Sequence, residues 1–327
     1  MNRLTHYSLV CEAPVVIPGP ASRKLGDEMC KHLNIEVTGL EVRQFSDSET
    51  FVKVLDNIRG RDVFIVQSTN SPANDHLMEL LLMLDAAHRA SAARITAVIP
   101  YYGYARQDRK DQGRVALSAK LVANLITTGG ADRILTIDLH SGQIQGFFDL
   151  PVDHLQAGQV LTDWVKDSGL KDFVVVSPDV GNVKLARNYA NLLDAPLAIV
   201  DKRRTAPNVS EVMSIIGDEE IPGKNVLIFD DMIDTAGTIC NASEALRERG
   251  AKDVYALAVH GVLSGKAFER LEAAPLREVI ITDTISQAER PLPSKIRVLS
   301  VAPLLAKAIE RIHDHRSVSD LFHELAR

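Results

Sequence analysis

The sequence predicts an α/β protein of two similar domains, each a mostly parallel sheet flanked by helices. Short apolar runs of strand length alternate with segments of helical periodicity along the whole chain, which is typical of parallel strands joined by helices. The order of these segments occurs twice, and the 327 residues are enough for two domains.

Four strand-like segments of the first half have counterparts in the same order in the second half. Apolar strands are common enough to resemble one another by chance, but the shared order favours a duplicated domain. The pairs are Val15–Pro18 with Val175–Pro178, Arg61–Val66 with Lys224–Phe229, Ile95–Val98 with Val254–Leu257, and Ile134–Asp138 with Val279–Asp283.

Helical periodicity predicts the segments between these strands. The helix expected over Leu77–Leu84 is apolar nearly all round, which indicates burial against a neighbouring subunit or domain. A final amphipathic helix is expected from Pro303. We place the domain boundary after residue 155, so that the domains are residues 1–155 and 156–327.

Composition limits the classes of partner. The chain is 46% hydrophobic and 24% charged, and 37 basic against 43 acidic residues give a net charge of −6. This balance argues against broad binding of nucleic acid or of anionic membranes. The cysteines at 11, 30 and 240 form no paired spacing, and no signal peptide is evident, so we expect a reduced, cytoplasmic setting.

An acidic strand end in the second half carries the strongest functional signal. The apolar run Val226–Phe229 is followed by Asp230, Asp231 and the small-residue segment Asp234–Thr238, which opens a helix. Such a loop offers N–H groups to a phosphate at the ligand-binding edge of an α/β sheet. Two neighbouring carboxylates suit ribose hydroxyls or a hydrated Mg²⁺. The segment predicts a sugar-phosphate site; an ordinary acidic turn is the alternative.

Two other strand ends carry candidate ligands. His140 follows Ile134–Asp138, where it could bind a metal or a phosphate, although an isolated histidine is more often structural. Asp179 lies in the turn after the strand that starts the second half, where it could hold a metal or cap the next helix. Asn182 ends this turn, and asparagine tolerates left-handed geometry.

A basic segment, Asp201–Asn208, follows the predicted strand Leu197–Val200 and ends in turn residues, so we expect a mobile loop. Such a run is most often a solvated surface. A basic loop can also close over a transferring phosphoryl group and exclude water. Both interpretations are open on the pattern alone.

Two segments of the first half suit an adenine. Phe45 and Arg106 could sandwich the base by stacking and cation–π contact, and Asp47 and Glu49 could accept hydrogen bonds from its amino group. Taken alone, a core phenylalanine and a surface arginine are commoner.

Together these segments resemble the ribose-phosphate diphosphokinases, also called phosphoribosyl diphosphate synthetases, and among them the phosphate-activated class I. The resemblance extends from about Val15 to Phe322, with five motifs in order. It implies that each half has the fold of a type I phosphoribosyltransferase. The implied reaction transfers the diphosphoryl group of ATP to O1 of ribose 5-phosphate, giving AMP and 5-phospho-α-D-ribose 1-diphosphate for nucleotide biosynthesis.

The resemblance also implies a role for each candidate residue. Lys202 and Arg204 match residues that stabilise the transition state, and His140 and Asp179 match metal ligands. The implied ATP-binding positions are Phe45, Asp47, Glu49, Arg106, Gln107, Asp108 and His140. The implied ribose 5-phosphate positions are Asp230, Asp231, Asp234, Thr235, Ala236, Gly237 and Thr238.

Cofactor, effectors and assembly are implied in the same way: Mg²⁺, phosphate and ADP, and a homo-oligomer, in this class a hexamer. Phe45 would complete the ATP site of a neighbouring subunit. The chain departs from the family pattern at Ser48 and Asn182, where glycine is usual, and at Pro18–Pro20 and Ala116–Ser118.

Two alternatives accompany this interpretation. A nucleobase phosphoribosyltransferase would use the Asp230–Thr238 loop but would need neither the paired domains nor the Phe45 and Arg106 segments. A non-catalytic regulatory homologue would assemble with an active enzyme, although the intact Lys202 and Arg204 argue against it.

Overall fold

Alternating strands and helices make up the part of the chain that the computed structural model describes, which is residues 12–203, 212–288, 291–319 and 321. The first half contains, in chain order, β1 (Val15–Pro18), α1 (Arg23–Leu33), β2 (Leu40–Gln44), β3 (Thr50–Val54), β4 (Asp62–Val66), α2 (Ala73–Arg89), β5 (Arg94–Ile99), α3 (Ser118–Thr128), β6 (Arg133–Ile137) and β7 (Val152–Leu155). None of the helices in these described ranges is long and apolar enough to cross a membrane.

The second half repeats the alternation. It contains α4 (Gly158–Asp167), β8 (Phe173–Ser177), α5 (Val183–Leu192), β9 (Leu197–Arg203), β10 (Val212–Ile216), β11 (Asn225–Ile233), α6 (Gly237–Glu248), β12 (Val254–Gly261), α7 (Ala267–Ala273), β13 (Glu278–Thr282), β14 (Ile296–Leu299) and α8 (Ala302–His313). The final helix expected from Pro303 therefore begins one residue earlier.

The duplication predicted from the apolar pattern is confirmed by the strand order. The first sheet runs β1-β4-β5-β6-β7, and the second runs β10-β9-β8-β11-β12-β13-β14. Without the β9–β10 pair, the second order repeats the first position by position. Apart from the antiparallel β9–β10 pair, neighbouring strands are parallel, and β2–β3 forms a separate antiparallel hairpin. The domain boundary after residue 155 stays a prediction.

Each sheet packs against one hydrophobic core on one face and against another on the opposite face. In β4, Val63 and Ile65 pack with α2 and α3, whereas Phe64 and Val66 lie in a second core on the opposite face, since successive strand side chains alternate. That second core also contains Phe229 of β11 and side chains of α1, α4, α5 and α8. The two sheets thus share one hydrophobic core, which holds their carboxyl ends in a defined relation.

A buried ion network also joins the last helix to the first sheet. The Asp62 side chain is only 1% exposed, and Arg94 binds both of its carboxylate oxygens, at 2.7 and 2.5 Å. His313 Nδ1 lies 2.8 Å from Asp62 Oδ2, and Arg94 donates to the Ile312 carbonyl at 3.0 Å. Removing Arg94 would take two hydrogen bonds from a buried carboxylate, which is strongly unfavourable.

Two strands extend beyond their predicted ends. The acidic strand β11 continues to Ile233 because β12 pairs with it as far as Gly261, so Asp230 and Asp231 lie inside the strand and not after it. Similarly, β10 pairs with β9 up to Arg203. The prediction of a loop from Asp201 was therefore wrong for its first three residues; 204–208 lie outside the described residues.

A buried histidine bridges the two sheets. His260 of β12 lies 3.0 Å from the carbonyl oxygen of Asp138, which follows β6, and 2.9 Å from Thr284 Oγ1. A carbonyl only accepts, so Nε2 carries the hydrogen and Nδ1 accepts from the threonine. Burial lowers the pKa of His260 to about 4. The imidazole in the bridge is therefore neutral at pH 7.

This bridge predicts a pH dependence of stability. The folded-state pKa of His260 lies below its ordinary value, so the unfolded chain takes up the proton first as the pH falls. Stability present above about pH 6.5 is lost towards pH 4, by about 3 kcal/mol in the limit. Urea unfolding across this range should show a shallower pH dependence for His260→Gln than for the wild type. Identical slopes for His260→Gln and the wild type would contradict the bridge.

Candidate functional site

The carboxyl ends of β5 and β6 meet the carboxyl end of β11. Arg106, in the loop after β5, forms an ion pair with Asp234, and His140, after β6, contacts Asp231. The shared core places these strand ends side by side, so residues 128 and 91 positions apart come into contact. The candidate active site is therefore built from both halves of one chain.

The contact between His140 and Asp231 is short and charge-assisted. Nδ1 of the histidine lies 2.6 Å from Oδ2 of the aspartate. This hydrogen bond raises the pKa of His140. Burial acts to raise the pKa of Asp231, but its hydrogen bonds with His140 and Asp230 outweigh burial and lower that pKa. The pair is consequently best described as an imidazolium next to a carboxylate.

Asp230 has a different environment from its neighbour. It is 7% exposed, and its Oδ1 accepts hydrogen bonds from Nδ2 of Asn182 at 2.8 Å and from the Asp231 N–H at 2.9 Å. Burial, followed by the hydrogen bond with Asp231 and then the charge of Asp231, raises the pKa of Asp230 to about 9. The two adjacent carboxyl groups therefore hold one proton between them in the ligand-free chain.

Asp179 lies in the turn between β8 and α5, as predicted. Its Oδ1 accepts the backbone N–H of Asn182 at 3.0 Å, so it does stabilise the start of α5. Its charge also contributes to the raised pKa of Asp230, which places its carboxylate at the same site. Asn182 has φ −95° and ψ 7°, so the turn does not use the left-handed geometry that asparagine tolerates.

Asp234 is held on both carboxylate oxygens. Arg106 Nη1 donates to Oδ2 and the Ser264 hydroxyl donates to Oδ1. These residues line a cleft of about 590 Å³ that also includes Tyr104 and Gln107. The predicted ATP segment and the predicted sugar-phosphate segment thus face one cavity.

The small-residue loop has the geometry of an anion site. Ala236 adopts φ 62° and α6 begins at Gly237, where the first N–H groups have no partner within the helix. Arg270 of α7 donates to the Thr235 carbonyl at 2.9 Å and lies 3.6 Å from where a Cβ at Gly237 would be. Sequence reasoning missed Arg270, because nothing in its local pattern separates it from an ordinary helix-surface arginine.

The Phe45 segment forms the tip of the β2–β3 hairpin. Phe45 is 44% exposed, and its ring contacts are with Arg43 and Phe51 of the same hairpin. Asp47 Oδ1 accepts the N–H of Glu49 at 3.2 Å. Ser48 has φ 71°, so the position keeps the left-handed geometry that glycine would favour.

Four predicted site residues remain: Gln107, Asp108, Lys202 and Arg204. Gln107 accepts a hydrogen bond from Ser118, and Asp108 accepts one from Gln143 at 3.1 Å. The backbone of Lys202 lies in β9 opposite Met213. Arg204 lies outside the described residues.

In the described part of the chain, no three histidine, cysteine, aspartate or glutamate side chains converge as metal ligands. Mg²⁺, however, is typically held by one or two carboxylates together with water and substrate phosphates. The crowded carboxyl groups of Asp230 and Asp231, with Asp179 near them, suit a cation that arrives with a phosphorylated substrate.

Comparison with known proteins decides the family. Residues 15–130 match the model of the N-terminal domain of ribose phosphate pyrophosphokinase, and residues 201–323 match that of the phosphoribosyl synthetase-associated domain. The chain is 56% identical to the ribose-phosphate pyrophosphokinase of Hyphomonas neptunium, over 92% of this chain and 97% of that protein. It is 54% identical to the one from Caldanaerobacter subterraneus, over 94% and 97%.

The chain belongs to the ribose-phosphate pyrophosphokinase family. The phosphoribosylpyrophosphate synthetase from Mycobacterium smegmatis has the same fold, with a TM-score of 0.87 and 45% identity, covering 93% of this chain and 100% of that one.

Family membership confirms the predicted fold class, enzyme class and function. Ribose-phosphate pyrophosphokinases are diphosphotransferases that use ATP and ribose 5-phosphate and need metal ions. The roles of individual residues in this chain stay predictions.

Proposed function

We propose that the cleft between β5, β6 and β11 is where the diphosphoryl group of ATP moves to O1 of ribose 5-phosphate. One observation supports this proposal: the Arg106–Asp234 and His140–Asp231 contacts bring the predicted ATP segments next to the predicted ribose 5-phosphate segment. In the reaction, O1 attacks the β-phosphorus in line, the bond to the α-phosphate oxygen breaks, AMP leaves and the O1 proton is lost to solvent.

Ribose 5-phosphate is bound by the end of β11 and the loop after it. The N–H groups of Thr235–Thr238 receive the 5-phosphate at the positive end of α6. Asp230, Asp231 and Asp234 face the ribose hydroxyls. Because C=O and N–H point in opposite directions across a trans peptide, the Arg270 contact with the Thr235 carbonyl turns the Ala236 N–H away from Arg270.

Lys202 and Arg204 supply positive charge to the transferring group. A loose phosphoryl-transfer transition state spreads charge over the non-bridging oxygens, so cations placed there lower the barrier with little need for a general base. β9 pairs with β10 as far as Arg203, so the backbone at Lys202 is held in the sheet.

His140 and Asp179 would hold Mg²⁺ together with the ATP phosphates. The cation would neutralise phosphate charge and polarise the phosphorus for attack. Imidazole is an uncommon direct ligand of Mg²⁺, so His140 would contact a metal-bound water, or its protonated ring would contact the ATP phosphates. Arg106, Gln107 and Asp108 bind the nucleotide in the adjoining cleft.

The enzyme acts as a cytoplasmic hexamer with phosphate and ADP as effectors. Apolar side chains exposed on the outer helices support assembly, since Met78 of α2 is 50% exposed and Leu121 and Leu125 of α3 are 56% and 40% exposed. The exposed Phe45, with Asp47 and Glu49, then completes the ATP site of a neighbouring subunit.

AMP formation from ATP and ribose 5-phosphate tests the proposed function. The purified protein should release AMP only when both substrates and Mg²⁺ are present, with the rate raised by phosphate and lowered by ADP. A nucleobase-dependent reaction without AMP release would support a phosphoribosyltransferase. No activity alone, but stimulation of an active relative on mixing, would support a regulatory homologue.

The basic segment gives the first prediction for catalysis. If Lys202 acts in the transition state, Lys202→Ala should lower kcat about 10²- to 10⁴-fold while the KM for ribose 5-phosphate changes little. Steady-state kinetics at saturating ATP measures both. A raised KM at constant kcat would instead make Lys202 a substrate-binding residue.

A second prediction concerns the phosphate loop. Arg270→Ala should raise the KM for ribose 5-phosphate about 3- to 10-fold and leave the KM for ATP unchanged, because the loop loses its anchor at the Thr235 carbonyl. Arg249→Ala, which removes an exposed ion pair at the other end of α6, is the matched control. Equal effects of the two variants would show that Arg270 contributes only general stability.

Subunit mixing tests the shared ATP site. Inactive Phe45→Ala and Lys202→Ala subunits should regain partial activity when mixed, because some interfaces then carry both native residues. Rescue is partial, since random assembly also produces sites that lack both. Tagged co-purification verifies exchange of subunits. Confirmed exchange without rescue would place both residues in one chain's site or remove Phe45 from ATP binding.

A further inference from the structure

Asn182 connects two of the carboxylates at the site. Its backbone N–H donates to Asp179 Oδ1 at 3.0 Å, and its side-chain Nδ2 donates to Asp230 Oδ1 at 2.8 Å. It is the residue before α5, yet its side chain makes no cap hydrogen bond to that helix. The side chain reaches from the β8–α5 turn to strand β11 instead.

The contact determines which oxygen of Asp230 is available. Oδ1 accepts two N–H groups, from Asn182 at 2.8 Å and from Asp231 at 2.9 Å. The terminal torsion of an aspartate is otherwise broad, so two donors on one oxygen set the plane of the carboxyl group. Oδ2 accepts neither of these N–H groups.

We propose that Asn182 is a positioning residue that holds Asp230 Oδ2 towards a hydroxyl of ribose 5-phosphate. This rests on the proposed function, in which Asp230 faces the ribose. Glycine, usual at this position in the resembling family, has no side-chain donor, so this chain has gained a contact. The φ of −95° is open to any residue, so backbone geometry does not explain the asparagine.

Three substitutions separate positioning from helix capping. Asn182→Gly and Asn182→Ala remove the donor, and each should raise the KM for ribose 5-phosphate about tenfold. Asn182→Asp keeps the shape of the side chain, and aspartate is an equally good residue at the start of a helix. However, it replaces the Nδ2 donor with a carboxylate oxygen, which faces the carboxyl group of Asp230. It should therefore be the most damaging of the three, whereas a capping role makes it indistinguishable from the wild type.

Steady-state kinetics of the full-length enzyme gives the readout. The KM for ATP and kcat should stay within about twofold of wild type in the Gly and Ala variants, because only the sugar site changes. Asn191→Ala, at an exposed position of the same helix, is the control and should match the wild type. Wild-type KM values for ribose 5-phosphate in the Gly and Asp variants would overturn the proposal, as would equal rises in both KM values.

A double variant distinguishes this inference from the proposed function. Asp230→Ala should raise the KM for ribose 5-phosphate, and adding Asn182→Ala should raise it no further, since the residue to be positioned is gone. An additive rise would overturn positioning through Asp230. If Asp230→Ala raises the KM while no Asn182 variant does, only the present proposal fails. If Asp230→Ala has no effect on that KM, the ribose assignment and this proposal both fail.

Discussion

The structure of the site depends on hydrogen-bond partners for the buried and half-buried carboxylates at the end of β11 and in the loop after it. Asp230, Asp231 and Asp234 lie within five residues, and a buried carboxylate without a partner is costly. His140 and Arg106 of the first half, with Asn182 and Ser264 of the second, provide the hydrogen bonds. His140 and Arg106 can reach the aspartates because the two sheets share one core.

Most of the fold could be predicted from the sequence because its signals are local. Apolar runs such as Val63–Val66 are long enough to mark a buried strand, and the repeated order predicted two sheets with matching topology. The predicted sugar-phosphate site could likewise be recognised because its residues lie in one continuous segment, Asp230–Thr238. The extension of β9 and β11 was missed because polar residues, Asp201 in β9 and Asp230 in β11, follow the apolar runs. Pairing with β10 and β12 keeps these residues in the sheet.

The partners within the site could not be predicted in the same way. His140 and Asp231 are separated by 91 residues, Asn182 and Asp230 by 48, and Arg270 and Thr235 by 35. None of these pairs has a spacing that a helix or strand would bring together. The family resemblance assigned Arg106 to the ATP site and Asp234 to the ribose 5-phosphate site. Their contact results from tertiary packing, which the sequence does not reveal.

A double-mutant cycle between His140 and Asp231 tests most directly whether the two halves are joined at the site. Urea unfolding of the ligand-free wild type, His140→Ala, Asp231→Ala and the double variant at pH 7 gives the coupling free energy without contributions from substrates. A direct charge-assisted hydrogen bond predicts a coupling of about 1–2 kcal/mol. Additive effects, within about 0.5 kcal/mol, would show that the contact does not hold the site together and would contradict this account.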